Sequence, residues 1–193
     1  MKLVIGLAGK IGSGKSEIGN YLSKKYGASQ HRFSQILMDI LKRLHRPPER
    51  EALQKLGASL RSQLGPDVLV AAFKADLDED QREMLVIDGI RYENEVELLR
   101  GFKNNILLFV SAPSEARYER VKKRGEKGEH NITFEEFKEA EERETERYLG
   151  VIAKKADYVL DNSGTKEELY KRVDAILKDH LFDEQILQSK NGL

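Results

Sequence analysis

The chain has 193 residues, with 33 Lys+Arg against 33 Asp+Glu, so it is long enough for one domain with a real core and carries no net charge. A neutral total excludes a global basic field for nucleic acid or membrane, so any anion binding must be local. Cysteine is absent, which excludes disulfides, thiolate metal sites and cysteine nucleophiles together. No apolar stretch approaches membrane-spanning length and the N-terminus runs straight into a strand, so a soluble cytoplasmic protein is expected. The charged share, 34%, is high for a globular domain and compatible with a thermophilic source.

In chain order, Leu3-Val4-Ile5-Gly6-Leu7-Ala8 predicts a strand over about 2–8, covered on both faces because it is nearly continuously apolar. Gly9-Lys10-Ile11-Gly12-Ser13-Gly14-Lys15-Ser16 follows, the pattern G-x-x-x-x-G-K-[ST] in a strand–loop–helix setting. Glycines there let backbone N–H groups curl around a phosphate, and the following helix points its free N–H groups and positive dipole end at the same anion. Lys15 supplies a mobile cation for the terminal phosphates, and the Ser16 hydroxyl can ligate Mg²⁺. A helix is expected over about 15–26, stopped by Gly27.

Residues 28–33 are weakly strand-like, and Ser34 reads as the N-cap of a helix carrying Ile36, Leu37, Ile40, Leu41 and Leu44. Pro47-Pro48 breaks that helix and starts another with a ridge of Leu53, Leu56, Leu60 and Leu64, and Gly65-Pro66-Asp67 opens a third to about 77. Met84-Leu85-Val86-Ile87-Asp88 is a second buried strand, followed by an amphipathic helix over about 93–102 and a strand over about 106–110. Pro113 starts a helix to about 124, a charged loop spans 125–131, and a long polar helix is expected over about 133–155. Tyr158-Val159-Leu160 is the last strand, and Leu169, Val173, Ile176 and Leu177 mark a closing helix ahead of a tail that frays. Strands alternating with helices imply an α/β fold with a parallel sheet covered on both faces.

Asp88 ends an apolar strand, the place for the acid that holds Mg²⁺ through water in proteins with this loop. Arg91, three residues on, sits where it could grip an acceptor phosphate with two parallel hydrogen bonds. Arg117, Arg120 and Arg124 share a helix face leading into the charged loop, and Arg143 and Arg147 repeat the arrangement beyond it. Arg120, Arg124 and Arg143 are candidates for offsetting charge on a triphosphate, whereas Arg117 and Arg147 read as solvated helix positions. Ser34, Arg50 and Arg61 are candidates for an acceptor lid. His31, His45, His130 and His180 match no metal or triad spacing.

From Met1 to about Leu177 the chain resembles the nucleoside monophosphate kinase superfamily. The P-loop and Ala156-Asp157-Tyr158-Val159-Leu160-Asp161-Asn162-Ser163-Gly164 resemble dephospho-coenzyme A kinases, although Phe33-Ser34-Gln35 stands where those enzymes carry an aspartate pair. Asp88-Gly89-Ile90-Arg91 with Asn94-Glu95-Val96-Glu97 is similar to the acceptor segment of phage-type deoxynucleoside monophosphate kinases and of archaeal adenylate-kinase-like proteins. The resemblance implies a three-layer P-loop kinase fold with a five-stranded parallel sheet in the order 2-3-1-4-5. It implies a single domain over about 1–180, an acceptor-binding excursion at about 34–80, a lid at about 125–143 and a tail at 181–193. Asn162 and Gly164 would pass near the adenine of ATP.

The expected activity is transfer of the ATP γ-phosphoryl group, with Mg²⁺, to a small-molecule acceptor. A (deoxy)nucleoside monophosphate is the first expectation and dephospho-coenzyme A the alternative, with neither nucleic acid nor membrane as partner. In that reading Gly9, Gly12, Ser13, Gly14, Lys15 and Ser16 hold the phosphates, Ser16 and Asp88 place the metal, and Lys15, Asp88, Arg91, Arg124 and Arg143 act at the transferring group. A nucleotide-dependent switch is the competing class. GTPases of this fold read guanine through N-K-x-D after a strand, and the chain has no such segment.

Overall fold

The structure, a computed structural model, describes residues 2–125, 132–141 and 148–191, with backbone alone at 140 and 181–191. Five strands, β1 (Leu3–Ala8), β2 (Ser29–Arg32), β3 (Met84–Ile90), β4 (Asn104–Ser111) and β5 (Tyr158–Asp161), form one sheet in the order β2-β3-β1-β4-β5. Every strand pair is parallel, as short apolar runs linked by helical crossovers require. The α/β architecture and strand order expected from the sequence are those observed.

β1 shows why its run is apolar without alternation. Leu3, Ile5 and Leu7 enter the core on one face of the sheet with Ile18, Leu22, Leu169 and Val173. Val4 and Ala8 enter the core on the other face with Phe73, Leu77, Leu99 and Leu149. A central parallel strand is buried on both sides, so side chains of period two must be apolar at every position.

The helices are α1 (Lys15–Tyr26), α2 (Phe33–Arg43), α3 (Arg50–Leu64), α4 (Val68–Glu79), α5 (Glu93–Arg100), α6 (Ser114–Arg124), α7 (Phe134–Glu141), α8 (Leu149–Lys155) and α9 (Lys166–Asn191). Three readings need correction. Helix α2 opens at Phe33 with extended Arg32 in the N-cap position, two residues before the expected Ser34 cap, and Phe33 is anchored by stacking on Phe73 with ring centroids 3.9 Å apart. Of the helix expected over 133–155, the described residues are helical at α7 and α8, and 142–147 lie outside them. The closing helix runs on into the tail expected to fray: the α9 backbone is helical to Asn191.

Helices α2, α3 and α4 pack on one another through Leu37, Leu41, Leu53 and Leu69, a small core of their own above the sheet. Helix α7 opens with Thr133 and Glu136 in a reciprocal cap, Glu136 N–H donating to Thr133 Oγ1 at 3.2 Å and Thr133 N–H to Glu136 Oε2 at 2.7 Å. It buries Phe137 against Ile11 of the glycine loop and Val121 of α6. Of the lid expected at 125–143, residues 126–131 and 142–143 lie outside the described residues.

Candidate functional site

The loop from Gly9 to Gly14 leaves the carboxyl end of β1, at the point where the sheet order turns from β3 to β4. Gly12 and Gly14 have φ of 75° and 106°, which side chains rarely adopt. A side chain at Gly12 would also run into the Arg117 carbonyl, and one at Gly14 into the Asn162 amide. Helix α1 then starts at Lys15 with no side-chain cap on its N-terminus, so its positive dipole end faces the loop's anion site. Lys15 Nζ folds back to donate to the carbonyl oxygens of Gly9 at 2.5 Å and Lys10 at 3.0 Å. The buried Ser13 hydroxyl has no hydrogen-bond partner among the described residues.

Several long-range contacts brace the loop. Asn162 Nδ2 donates to the Ser13 carbonyl oxygen at 2.7 Å, and Arg120 Nη2 donates to the Asn162 carbonyl oxygen at 2.8 Å. Arg117 corrects its assignment to a solvated helix face. It is 4% exposed, its Nε donates to the Ala112 carbonyl oxygen at 2.9 Å and its Nη1 to the Ile11 carbonyl oxygen at 3.3 Å. Helical spacing showed which residues share its face, but not that this face turns under the loop.

On β3, the register against β1 slips at Gly89: Leu7 pairs with Asp88 and Ala8 with Ile90. The bulge lies one residue before the end of the strand, at the site edge, with Asp88 just ahead of it. Ser16 Oγ donates to Asp88 Oδ2 at 3.1 Å, and Arg32 Nε lies 2.9 Å from the same oxygen. Ser16 and Asp88 together offer a hydroxyl and a carboxylate, hard oxygen donors of the kind that suit Mg²⁺. Next along the chain, buried Glu95 accepts the Arg91 N–H at 2.7 Å and the Tyr92 N–H at 3.3 Å. Burial pushes its carboxyl up to about 7 despite those two donors.

One cavity of about 590 Å³ brings these residues together, a volume in the range of small-molecule sites. Of the candidates, Gly12, Gly14, Lys15, Ser16, Ser34, Arg50, Asp88, Arg91, Arg120, Arg124, Asn162 and Gly164 line it. Gly9 and Ser13 lie in the loop behind the lining, Arg61 instead stacks over the Tyr92 ring at 4.5 Å, and Arg143 and Arg147 are outside the described residues. Sequence reasoning missed Arg32, Glu17 and Lys166, which also line the cavity. Lys166 donates to Glu17 Oε2 at 2.8 Å across 149 residues, and Tyr170 donates to Glu17 Oε1. That bond to a carboxylate, with burial, pushes the Tyr170 hydroxyl up to about 12. No local pattern signals such pairs, since each joins elements remote in the chain.

A glycine cradle, a hard-donor pair and guanidinium groups on several sides make a site for a phosphorylated ligand. Among the described residues no helix is long and apolar enough to cross a membrane.

Comparison with known proteins agrees with the fold. The profile of the AAA domain family matches residues 5–149. A UPF0200 protein of Thermococcus kodakarensis is 31% identical over 86% of this chain and 91% of its own length. One from Staphylothermus marinus is 30% identical over 92% and 93%. Among solved structures, a shikimate kinase from Bacteroides thetaiotaomicron superposes with a TM-score of 0.62 at 14% identity, covering 91% of this chain and 98% of that one. TT1252 from Thermus thermophilus gives 0.59 at 24% identity, covering 92% and 97%. The chain belongs to the AAA domain family and to the UPF0200 proteins, built on a P-loop kinase fold.

Proposed function

We propose that the protein is an ATP- and Mg²⁺-dependent phosphotransferase that moves the γ-phosphoryl group to a small acceptor bearing a phosphate, a ribo- or deoxyribonucleoside monophosphate. The observation that carries this reading is one cavity whose lining combines the P-loop after β1 with Arg50 and Arg91, the latter just after β3, and with Arg120 and Arg124 on the helix after β4, strands that flank β1 on opposite sides. Cations at both ends suit a site that must bring two anions into contact, because each phosphate repels the other until its charge is offset.

The Gly9–Ser16 loop and Lys15 hold the β- and γ-phosphates, and Arg120, with Asn162 and Gly164, borders the nucleoside end of the donor. Ser16 and Asp88 are the residues that would hold Mg²⁺, which supplies charge neutralisation along the phosphates. Ser34, Arg50 and Arg91 take the acceptor, within an excursion over 34–80 of one domain spanning about 1–180. Arg124 and Arg143, at the two ends of a lid over 125–143, close over the transferring group. An acceptor phosphate oxygen forms the new bond to the γ-phosphorus while the bond to the bridging oxygen breaks, and ADP leaves with that electron pair. A phosphate acceptor is already an anion, so the residues are needed for positioning and for charge, with no covalent intermediate.

The test is ADP release from Mg·ATP with each ribo- and deoxyribonucleoside monophosphate, dephospho-coenzyme A and shikimate in turn. Stimulation by one monophosphate is the expected result. Stimulation by dephospho-coenzyme A or shikimate alone would replace the phosphate acceptor with a hydroxyl one. Slow hydrolysis indifferent to every acceptor would make the protein a nucleotide-dependent switch.

A further inference from the structure

Asp88 already has a cation. Its side chain is only 6% exposed, and its Oδ2 both accepts from Ser16 Oγ at 3.1 Å and meets Arg32 Nε at 2.9 Å. Sheet register makes the pair: Arg32 is the last residue of β2 and stands directly opposite Asp88 on β3. The Arg32 side chain is 40% exposed and lines the same cavity as Ser34, Arg50 and Arg91. A carboxylate buried to this degree is costly to leave unpaired, so in the protein by itself Arg32 is its counter-charge. A divalent ion held near the same oxygen by Ser16 and Asp88 would repel that guanidinium at close range.

We propose that Arg32 is the resident counter-cation of Asp88, and that metal–nucleotide loading displaces it and leaves its guanidinium in the acceptor half of the cavity. The inference rests on the functional reading above only for the metal's place at Ser16 and Asp88. One positive charge leaves the carboxylate as a divalent one arrives, so the metal's apparent affinity is set by a competition with Arg32. The Arg32 side chain, 40% exposed, can leave Asp88 without unfolding β2, which also pairs with β3 at Ser29, Gln30 and His31.

The experiment measures ADP binding by calorimetry over a series of Mg²⁺ concentrations, for the wild type, Arg32→Gln and Arg32→Lys. In Arg32→Gln the Mg²⁺ concentration giving half of the metal effect should fall about threefold to tenfold, the range expected for losing one partly exposed charge competitor. Arg32→Lys, which keeps the charge, should stay within about twofold of the wild type. A second readout needs no neutral variant: in wild-type protein labelled with ¹⁵N at arginine, the Arg32 Nε–H signal, assigned by its absence in Arg32→Lys, should move with Mg²⁺ and ADP and stay in place with ADP and EDTA. An unchanged or higher Mg²⁺ requirement in Arg32→Gln, or an Arg32 signal indifferent to Mg²⁺, overturns the proposal. Neither readout uses turnover. A silent acceptor panel would therefore sink the kinase reading without touching this one.

Discussion

Arg117 on α6 pairs with Glu141 on α7 through the same guanidinium nitrogen that donates to the Ile11 carbonyl oxygen of the P-loop at 3.3 Å. The two side chains are 5% and 11% exposed, so the pair is a buried one. Lys10, also in the loop, reaches the same Glu141 oxygen at 3.4 Å. Loop, α6 and α7 are thereby joined beneath the site, with Phe137 and Ile11 packed alongside.

Breaking that join should cost stability. Arg117→Ala takes the donor from the Ile11 carbonyl and leaves Glu141 with only Ser114 Oγ at 3.3 Å and Lys10 at 3.4 Å among the described residues, and breaking a largely buried pair costs about 3 kcal/mol. For a chain of this size that corresponds to a Tm about 6–12 °C lower, readable by calorimetry. Burial pushes the Glu141 carboxyl up, but the hydrogen bond and charge of Arg117 outweigh it and hold it below its ordinary range. A lowered carboxyl stabilises above its unfolded pKa and loses that contribution as pH falls through the folded value. The gap between wild type and Arg117→Ala should therefore narrow below about pH 4.5, the ordinary glutamate value. A gap that stays constant into acid would show that packing of Arg117, not its charge, is what matters.

Lys15→Ala should remove activity and keep the fold. The side chain donates to the Gly9 and Lys10 carbonyl oxygens of its own loop, so its loss should move Tm by no more than about 2 °C. Losing a cation at the transferring phosphates should lower kcat/KM about a hundredfold to a thousandfold. Turnover at the wild-type rate in a folded Lys15→Ala protein would end the phosphotransferase reading.

Arg91→Ala separates donor from acceptor. Loss of a charged hydrogen bond to the acceptor phosphate should raise the acceptor KM about tenfold to a hundredfold. The KM for ATP should stay within about threefold, because Arg91 follows β3 and in the proposed reading meets the acceptor and not the donor. Equal effects on both KM values would remove Arg91 from the acceptor site.

Glu95 gives the protein a pH dependence at neutrality. Burial raises its carboxyl from 4.5 to about 7, so between those values the folded state holds a proton that the unfolded state has lost. Stability from this group is full below about pH 4.5 and declines as pH rises through about 7. The decline is at most about 3 kcal/mol. Glu95→Gln, which can still accept the Arg91 and Tyr92 N–H groups, should flatten unfolding free energy between pH 5 and 8 as followed by urea titration. A wild type with no such decline would mean that Glu95 stays ionised in its buried place.

Legibility divided along a physical line. The loop Gly9–Ser16 could be read because its chemistry is local: glycines for backbone shape, then a lysine and a serine in the next turn. The strands could be read because burial on both sheet faces demands uninterrupted apolar runs, and those runs with intervening helices imply a parallel sheet. Asp88 could be read because a carboxylate at the end of such a run lies at the edge where ligands bind.

The remaining assignments depended on which remote elements meet. Arg32 ends a four-residue strand, SQHR, with no apolar signature, and only the β2–β3 register puts it on Asp88. Arg117 shares a helical face with Arg120, yet the first is buried against the Ile11 carbonyl of the P-loop while the second lines the cavity. Arg61 has the spacing of an acceptor ligand, but the packing of α3 near the start of α5 sets it over Tyr92. Sequence by itself determined the fold class, the strand order implied by its family resemblance and the phosphate loop, because each is written in adjacent residues. Tertiary structure alone decided which charged side chains are buried, paired or facing the cavity, because helical and strand periodicity specify a face and leave open what that face meets.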